Sequence, residues 1–279
     1  MSAANQGQVA YWNDTAGRTW ASLQDSIDRQ IRPLGLAAMD RLDPRAGETL
    51  LDVGCGCGDT SLELARRVGP EGEVLGLDIS GPMLEVARRR AAEAGAEGLE
   101  FRQADAQTAA LPGGRDAVFS RFGVMFFSDP AAAFANLRRS LRPGGRLAFV
   151  CWRPLAENLW MRLPAEAAAG LVPAAPPPEP GAPGPFAFAD PDHVRGILAE
   201  AGFSGIDITP HDEAIGGHDL EGTVEMSFRV GPLGAILRER PDLAPVLRDR
   251  VREAVSPWMR GEAVYMPSAT WLVTARNPG

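Results

Sequence analysis

Apolar residues along the first 45 positions recur at helical spacings. Ala21, Leu23, Ile27, Ile31, Leu34, Leu36 and Met39 are interleaved with charges, which predicts a helical leader over 1–45. From Thr49 the pattern changes to short apolar runs alternating with amphipathic stretches. Leu50–Val53 and Val74–Leu77 read as buried strands, with helices over Thr60–Val68 and from the Ser80 N-cap, with Pro82 in its first turn, to about Ala94. Leu99–Gln103 and Asp116–Ser120 read as further strands. Asp129-Pro130 opens a helix with Phe134, Leu137 and Leu141 on one face, Pro143-Gly144-Gly145 stops it, and Arg146–Trp152 is the next strand. Strands alternating with helices imply βαβ units on a mainly parallel sheet.

The rhythm breaks after Arg153. Residues 173–185 are too rich in proline and glycine for a helix or a central strand and read as a surface loop or lid. A helix resumes at Asp190-Pro191 and ends at Gly202, and Ile206–Ile208 reads as a strand. Residues 220–262 read as a helical insertion with a stripe of Leu243, Val246, Leu247, Val251 and Val255, and Thr270–Thr274 as a closing strand. The expected organisation is a leader or cap over 1–45, a ligand-binding core over 46–152, a proline-rich lid over 153–189, and the rest of the core with its insertion over 190–279.

Chemistry enters at one loop. Asp52-Val53-Gly54-Cys55-Gly56-Cys57-Gly58 delivers a strand into a helix through three alternate glycines, a form that lets a ligand approach the backbone closely. The dinucleotide fingerprint has its third glycine one residue later. Here that position is Asp59, whose charge would repel a pyrophosphate, and Asp52 within the strand also suits a cationic ligand. Asp78 ends the second strand, 20 residues past Gly58, where a carboxylate accepts from ribose hydroxyls. Asp105 follows the third strand, placed to accept from an adenine amino group. Met83 offers a soft contact to a purine face. Singly, these residues read equally well as a helix cap, a turn residue and core.

Together they carry a resemblance. The stretch from Leu50 to Trp152, through Leu51–Asp59, Gly76–Ser80, Pro82–Leu84, Ala104–Ala106 and Leu141–Gly145, resembles class I S-adenosylmethionine-dependent methyltransferases, in the style of the small-molecule enzymes of ubiquinone and menaquinone biosynthesis. The resemblance implies a doubly wound, seven-stranded, mostly parallel sheet with an antiparallel last strand, N-terminal helices, and S-adenosylmethionine over the carboxyl ends of the first strands. It implies that the Gly54–Gly58 loop, with Gly54, Cys57 and Gly58, faces the methionine part, and that Asp52 and Ile79 also bind the cofactor. It puts Asp78 at the ribose, Asp105, Ala106 and Met83 at the adenine, and Ser120–Gly123 with Phe122 on the methionine side. Cys57 departs from the family, which mostly has Gly, Ser or Thr there; a thiol is a weak hydrogen-bond partner.

Charge and composition narrow the acceptor. A formal charge of -8 speaks against nucleic acid as partner, since phosphate neutralisation needs a basic face. Arg88-Arg89-Arg90 reads as a solvated helix face. The polar N-terminus carries no secretory signal and no apolar run is long enough to span a membrane, so a cytoplasmic enzyme with a small-molecule acceptor is expected. Cys55 and Cys57 lack the partners of a zinc set, so no metal is expected, and with only Cys151 to join them arsenic methylation is disfavoured. Methyl transfer needs a general base only for a protonated acceptor. The candidates are His211 and His218; His193 reads as structural, and Arg121 either binds an acidic group or pairs with Asp129 or another acid. Trp12 and Trp20 either close over the methionyl part or pack in the core. Met226, Phe228, Trp258, Tyr265 and Met266 favour a hydrophobic or aromatic acceptor. A non-catalytic S-adenosylmethionine-binding module and an NAD(P)-dependent oxidoreductase are the other readings.

Overall fold

A computed structural model describes residues 5–173 and 181–279. Part of the proline-rich segment, 174–180, lies outside the described residues. The leader forms α1 (Gln6–Asn13), α2 (Thr15–Ser22) and α3 (Gln24–Leu42). The βαβ rhythm follows as β1 (Thr49–Val53), α4 (Asp59–Val68), β2 (Glu73–Asp78), α5 (Gly81–Ala94), β3 (Leu99–Gln103), β4 (Arg115–Arg121), α6 (Pro130–Ser140) and β5 (Leu141–Trp152). The sheet order is β3-β2-β1-β4-β5-β8-β6, with β8 (Ala263–Arg276) antiparallel to both β5 and β6 (Ser204–His218). A two-residue strand, β7 (Met259–Arg260), pairs with β8 off this path. The seven-stranded, mostly parallel sheet with one reversed strand is the architecture the resemblance implies.

Local chemistry explains the helix starts. The Ser80 hydroxyl accepts from Met83 N–H, and the Asp129 carboxylate accepts from Ala132 N–H at 2.9 Å; each is followed by proline in the first turn. Asp190 caps α8 (Pro191–Glu200) in the same way. β1 is apolar apart from Thr49 and Asp52 because neighbours on both edges and helices on both faces bury Leu50, Leu51 and Val53. On α3, Ile27, Ile31, Leu34, Ala38, Met39 and Leu42 form the buried stripe that joins the leader to the main core.

Both late strands are longer than their apolar patterns. β6 has 15 residues and β8 has 14, where the sequence marks only 206–208 and 270–274. β6 is an edge strand, mostly half-buried or exposed and interrupted by Pro210, Gly216 and Gly217, so its alternation is hidden. The insertion holds α9 (Leu220–Arg229), α10 (Gly231–Glu239) and α11 (Ala244–Val255), and α7 (Leu159–Glu166) precedes α8. Helix and 3-10 turns end at Trp258; residues 259–260, expected within the helical insertion, instead make the hairpin strand β7. These helices build a second apolar cluster around Val224, Leu233, Leu247, Val251 and Val255, against Val264 and Met266 of β8. Val246, expected in the stripe, is 42% exposed, because α11 turns Leu247, Val251 and Val255 inward.

Candidate functional site

The carboxyl ends of β1, β2, β4, β5 and β6 share one edge of the sheet, and the glycine loop stands at its centre. Gly54 and Cys55 N–H both donate to Leu77 O, at 2.8 and 3.0 Å, stitching the loop to β2. Gly54, Gly56 and Gly58 have φ of 68°, 54° and 85°, the left-handed region. A Cβ at Gly54 would lie 2.6 Å from Gly123 Cα, and one at Gly58 would lie 3.0 Å from Ala87 Cβ and Phe101 Cζ. Gly56 differs: its nearest neighbour on that side is Met83 Sδ at 3.9 Å, which leaves this face of the loop free.

Three carboxylates stand at or just past the carboxyl ends of β1, β2 and β3. Asp78 Oδ2 accepts from Gly56 N–H and Oδ1 from Ser80 N–H, both at 2.8 Å. Burial raises the pKa of Asp78, and those backbone donors oppose the shift. Asp52 is fully buried; its Oδ2 accepts from the Thr60 and Ser61 hydroxyls at 2.7 and 2.6 Å, while its Oδ1 is buried with no partner among the described residues. Burial raises the Asp52 pKa to about 6 against those two hydroxyl bonds. Asp105 accepts from the Asn5 amide at 3.1 and 3.0 Å and from Gln107 N–H at 2.9 Å, and Asn5 Oδ1 accepts from Ser128 N–H. Ala106 and Met83 are buried beside these groups.

The leader closes over this edge. Asn13 donates to Ile79 O and accepts from Gly81 N–H, and the Ser80 hydroxyl donates to Trp12 O at 2.6 Å. The Trp12 ring meets Trp20 and Phe126 edge-on, 5.7 and 5.4 Å between centroids. Asn5 and Asn13 carry no sequence signal that marks them, because their partners lie more than 60 residues away.

A buried ionic network braces the other side. Arg121 donates to Asp59 Oδ2 and Asp28 Oδ1, each at 2.9 Å. Arg32 also pairs with Asp59. Arg90 bonds Asp28 at 2.9 Å and Cys57 O at 2.8 Å. Arg121 therefore pairs with Asp28 and Asp59; Asp129 is occupied in capping α6. The arginine run is split by the same packing: Arg88 and Arg89 are exposed, but Arg90 is drawn inward by Asp28. Asp28 and Arg32 stand one helical turn apart on the leader, the spacing that could have marked them.

Burial, more than Asp28 beside it, pushes the Cys57 thiol up to about 12; it also raises Cys55 and Cys151, so the three thiols are protonated at neutral pH. Cys151 lies in the core with Phe188 O as its contact. Among the described residues no cluster of His, Cys, Asp and Glu could hold a metal ion.

Past β4 the backbone is strained: Phe122 has φ of 61°, unusual for an aromatic residue. Its ring stacks on Trp152 at 4.0 Å, and Trp152 meets Trp160 at 5.3 Å. Trp160 lines a cavity with Gln30, Met161, Ile215, His218, Met226 and Met266 among others. Of the residues expected at the acceptor, Met226 and Met266 line it, while Phe228 and Trp258 pack into the second cluster and Tyr265 lies beside Gly217. His218 lies at the carboxyl end of β6, on the same sheet edge as the glycine loop. His211 is on the same strand but outside the cavity lining, its Nε2 buried without a partner among the described residues; His193 is exposed on α8.

Residues 50–145 match the family model of a methyltransferase domain. This stretch is a methyltransferase domain. The chain is 41% identical over 118 residues to a nocamycin O-methyltransferase of Saccharothrix syringae, covering 42% of each chain. It is 38% identical over 145 residues to a ubiquinone/menaquinone biosynthesis C-methyltransferase of Hahella chejuensis, covering 51% of this chain and 58% of that one. The chain thus spans about half the length of the curated relatives it matches. The YcgJ protein of Bacillus subtilis shares the fold, with a TM-score of 0.58 over 89% of this chain and 99% of that one at 18% identity.

Proposed function

We propose that this chain is an S-adenosylmethionine-dependent methyltransferase acting on a small-molecule acceptor. The observation that carries the reading is Asp52 Oδ1, a buried carboxylate oxygen with no partner among the described residues, one strand from Asp78 and beside a loop whose Gly56 face is open. A buried unpaired acceptor favours a cationic donor, and a dinucleotide diphosphate offers none. The residues fit the adenosyl sulfonium part by part. Asp52, Gly54, Cys57 and Gly58, with Phe122 across the edge, would hold the methionine end, Asp78 and Ile79 the ribose, and Asp105, Ala106 and Met83 the adenine.

When bound, S-adenosylmethionine supplies a methyl group on a good leaving group. The protein's part is then to fix the acceptor close to that carbon and to exclude water. The leader, through Asn13 and Trp12, covers the cofactor edge; residues 46–152 bind the cofactor; the 153–189 and 220–262 segments shape the acceptor side. The names of the two relatives support a small organic acceptor, as does the charge of -8, which opposes nucleic acid. Among the described residues no helix is long and apolar enough to cross a membrane, and a cytoplasmic location is part of the proposal.

The test is methyl-labelled S-adenosylmethionine incubated with a panel of naphthols, naphthoquinols and enolic β-diketones. A labelled product with stoichiometric S-adenosylhomocysteine is the expected result. Cofactor binding without turnover on any acceptor favours a non-catalytic binding module.

A further inference from the structure

The cavity beyond Phe122 is lined by α3, α7, β6, α9, α10 and β8. Its closed volume is about 30 Å3, and it opens onto solvent. Most of its lining is apolar: Trp160, Met161, Ile215, Met226, Val230, Leu233, Val264 and Met266. The lining includes no Asp, Glu, Lys or Arg, and His218 is its one ionisable group in the neutral range.

Four side chains on this wall are polar, and two are already satisfied. The Thr223 hydroxyl donates to Asp219 O and the Ser227 hydroxyl to Thr223 O. Gln30, only 8% exposed, lies in the lining. His218, 9% exposed, places Nε2 3.2 Å from Ser26 O. A carbonyl oxygen only accepts, so Nε2 carries the hydrogen and Nδ1 holds the free lone pair. The strand turns sharply here, with Gly216 and Gly217 at φ of 153° and 94°, and that bend sets the ring against α3.

α3 ties this wall to the cofactor edge. Its Ser26 carbonyl receives His218, and two residues on, Asp28 receives Arg121 from the end of β4. The Phe122–Trp152–Trp160 aromatic series spans the same gap above the sheet.

The geometry points to this cavity as the acceptor site, with Gln30 orienting a flat apolar acceptor and His218 Nδ1 as the general base for its phenolic or enolic hydroxyl. The identity of the occupant rests on the methyltransferase reading. In the step, the acceptor O–H bond breaks with its electron pair left on oxygen, the proton joins Nδ1, and the imidazolium returns it to water. A protonated amine would find no counter-charge on this wall, and a sugar would leave most of its hydroxyls unpaired. Burial keeps the His218 pKa below its ordinary value, as does Arg29 of α3, against the Ser26 bond and Asp219, so the ring is neutral and able to accept at pH 7.5. Admitting a ring requires Met161, Met226 and Met266 to turn aside, which unbranched thioethers can do.

The experiment uses 1-naphthol as probe, with naphthalene as its hydroxyl-free counterpart. Imidazole 15N NMR of the full chain at pH 7.5 should show the Nε2-protonated tautomer at His218. Saturating 1-naphthol should shift the Nδ1 resonance, and naphthalene should not. Met226→Trp, which fills the cavity, should weaken 1-naphthol at least tenfold and leave S-adenosylhomocysteine affinity unchanged. A Nδ1-protonated tautomer, no binding of 1-naphthol, or binding that Met226→Trp leaves untouched would each overturn the assignment. Failure of the wild-type protein to bind S-adenosylhomocysteine would instead sink the methyltransferase reading.

Discussion

Gly54 and Gly123 are in backbone contact: a Cβ on Gly54 would stand 2.6 Å from Gly123 Cα, and a Cβ on Gly123 would stand 2.7 Å from Val53 O. The loops after β1 and β4 close on each other only because both residues lack side chains. Gly54→Ala combines this clash with a left-handed φ and is expected to destabilise the fold by about 2–4 kcal/mol. Gly56→Ala meets no backbone and should cost about 1 kcal/mol in stability while weakening cofactor binding. Urea unfolding and calorimetry, run on both variants, separate the two effects.

Asp78 accepts from Gly56 and Ser80 N–H and so holds the loop proposed to bind the cofactor. Asp78→Ala should lower S-adenosylhomocysteine affinity by about 1–3 kcal/mol, the scale of a hydrogen bond to a charged group. Calorimetry with unchanged affinity would remove Asp78 from the site.

Much of this half of the site is legible in the chain because strand, turn and helix are contiguous. Asp52, the glycines, Asp78 and Asp105 lie at or just past the carboxyl ends of successive strands, so one-dimensional spacing becomes three-dimensional proximity. The remainder is tertiary. Asn5 against Asp105 and Arg121 between Asp28 and Asp59 depend on where the leader docks, which no local pattern encodes. The ends of β6 and β8 are hidden for another reason: edge exposure and internal Gly and Pro erase the alternation that would mark them.

Asp52 makes stability pH-dependent in an unusual direction. Its folded pKa, about 6, lies above the ordinary 3.8, so between these values the native state binds the extra proton. Its contribution is fully present below about pH 3.8 and is lost as pH rises through 6, a difference of about 3 kcal/mol by linkage. Asp52→Asn should stabilise the unliganded protein by about 1–3 kcal/mol at pH 8 and by much less at pH 4.5, since an amide oxygen still accepts from Thr60 and Ser61. Urea midpoints at the two pH values check this.

Arg121→Ala leaves Asp28 and Asp59 facing each other with less compensation, in a setting where burial already raises the Asp28 pKa. A loss of about 3–5 kcal/mol is expected near pH 8, shrinking toward pH 5 as Asp28 takes up a proton. A pH-independent loss would show that packing of the arginine stem, rather than charge, is what matters.

Cys57 is the loop's departure from the family pattern. With its thiol pushed up to about 12, it should resist iodoacetamide at pH 7.5 in the folded protein, read by mass spectrometry against a urea-unfolded control. Rapid native-state labelling would contradict the protonated, half-buried thiol described above.

The central claim is that the loop from Gly54 to Gly58, together with Asp52, Asp78 and Asp105, binds an adenosyl sulfonium. Titration calorimetry of the wild-type chain with S-adenosylmethionine, S-adenosylhomocysteine and NADH tests it directly. Binding of the first two and none of NADH is the predicted result; binding of NADH alone, or of none of the three, would contradict it.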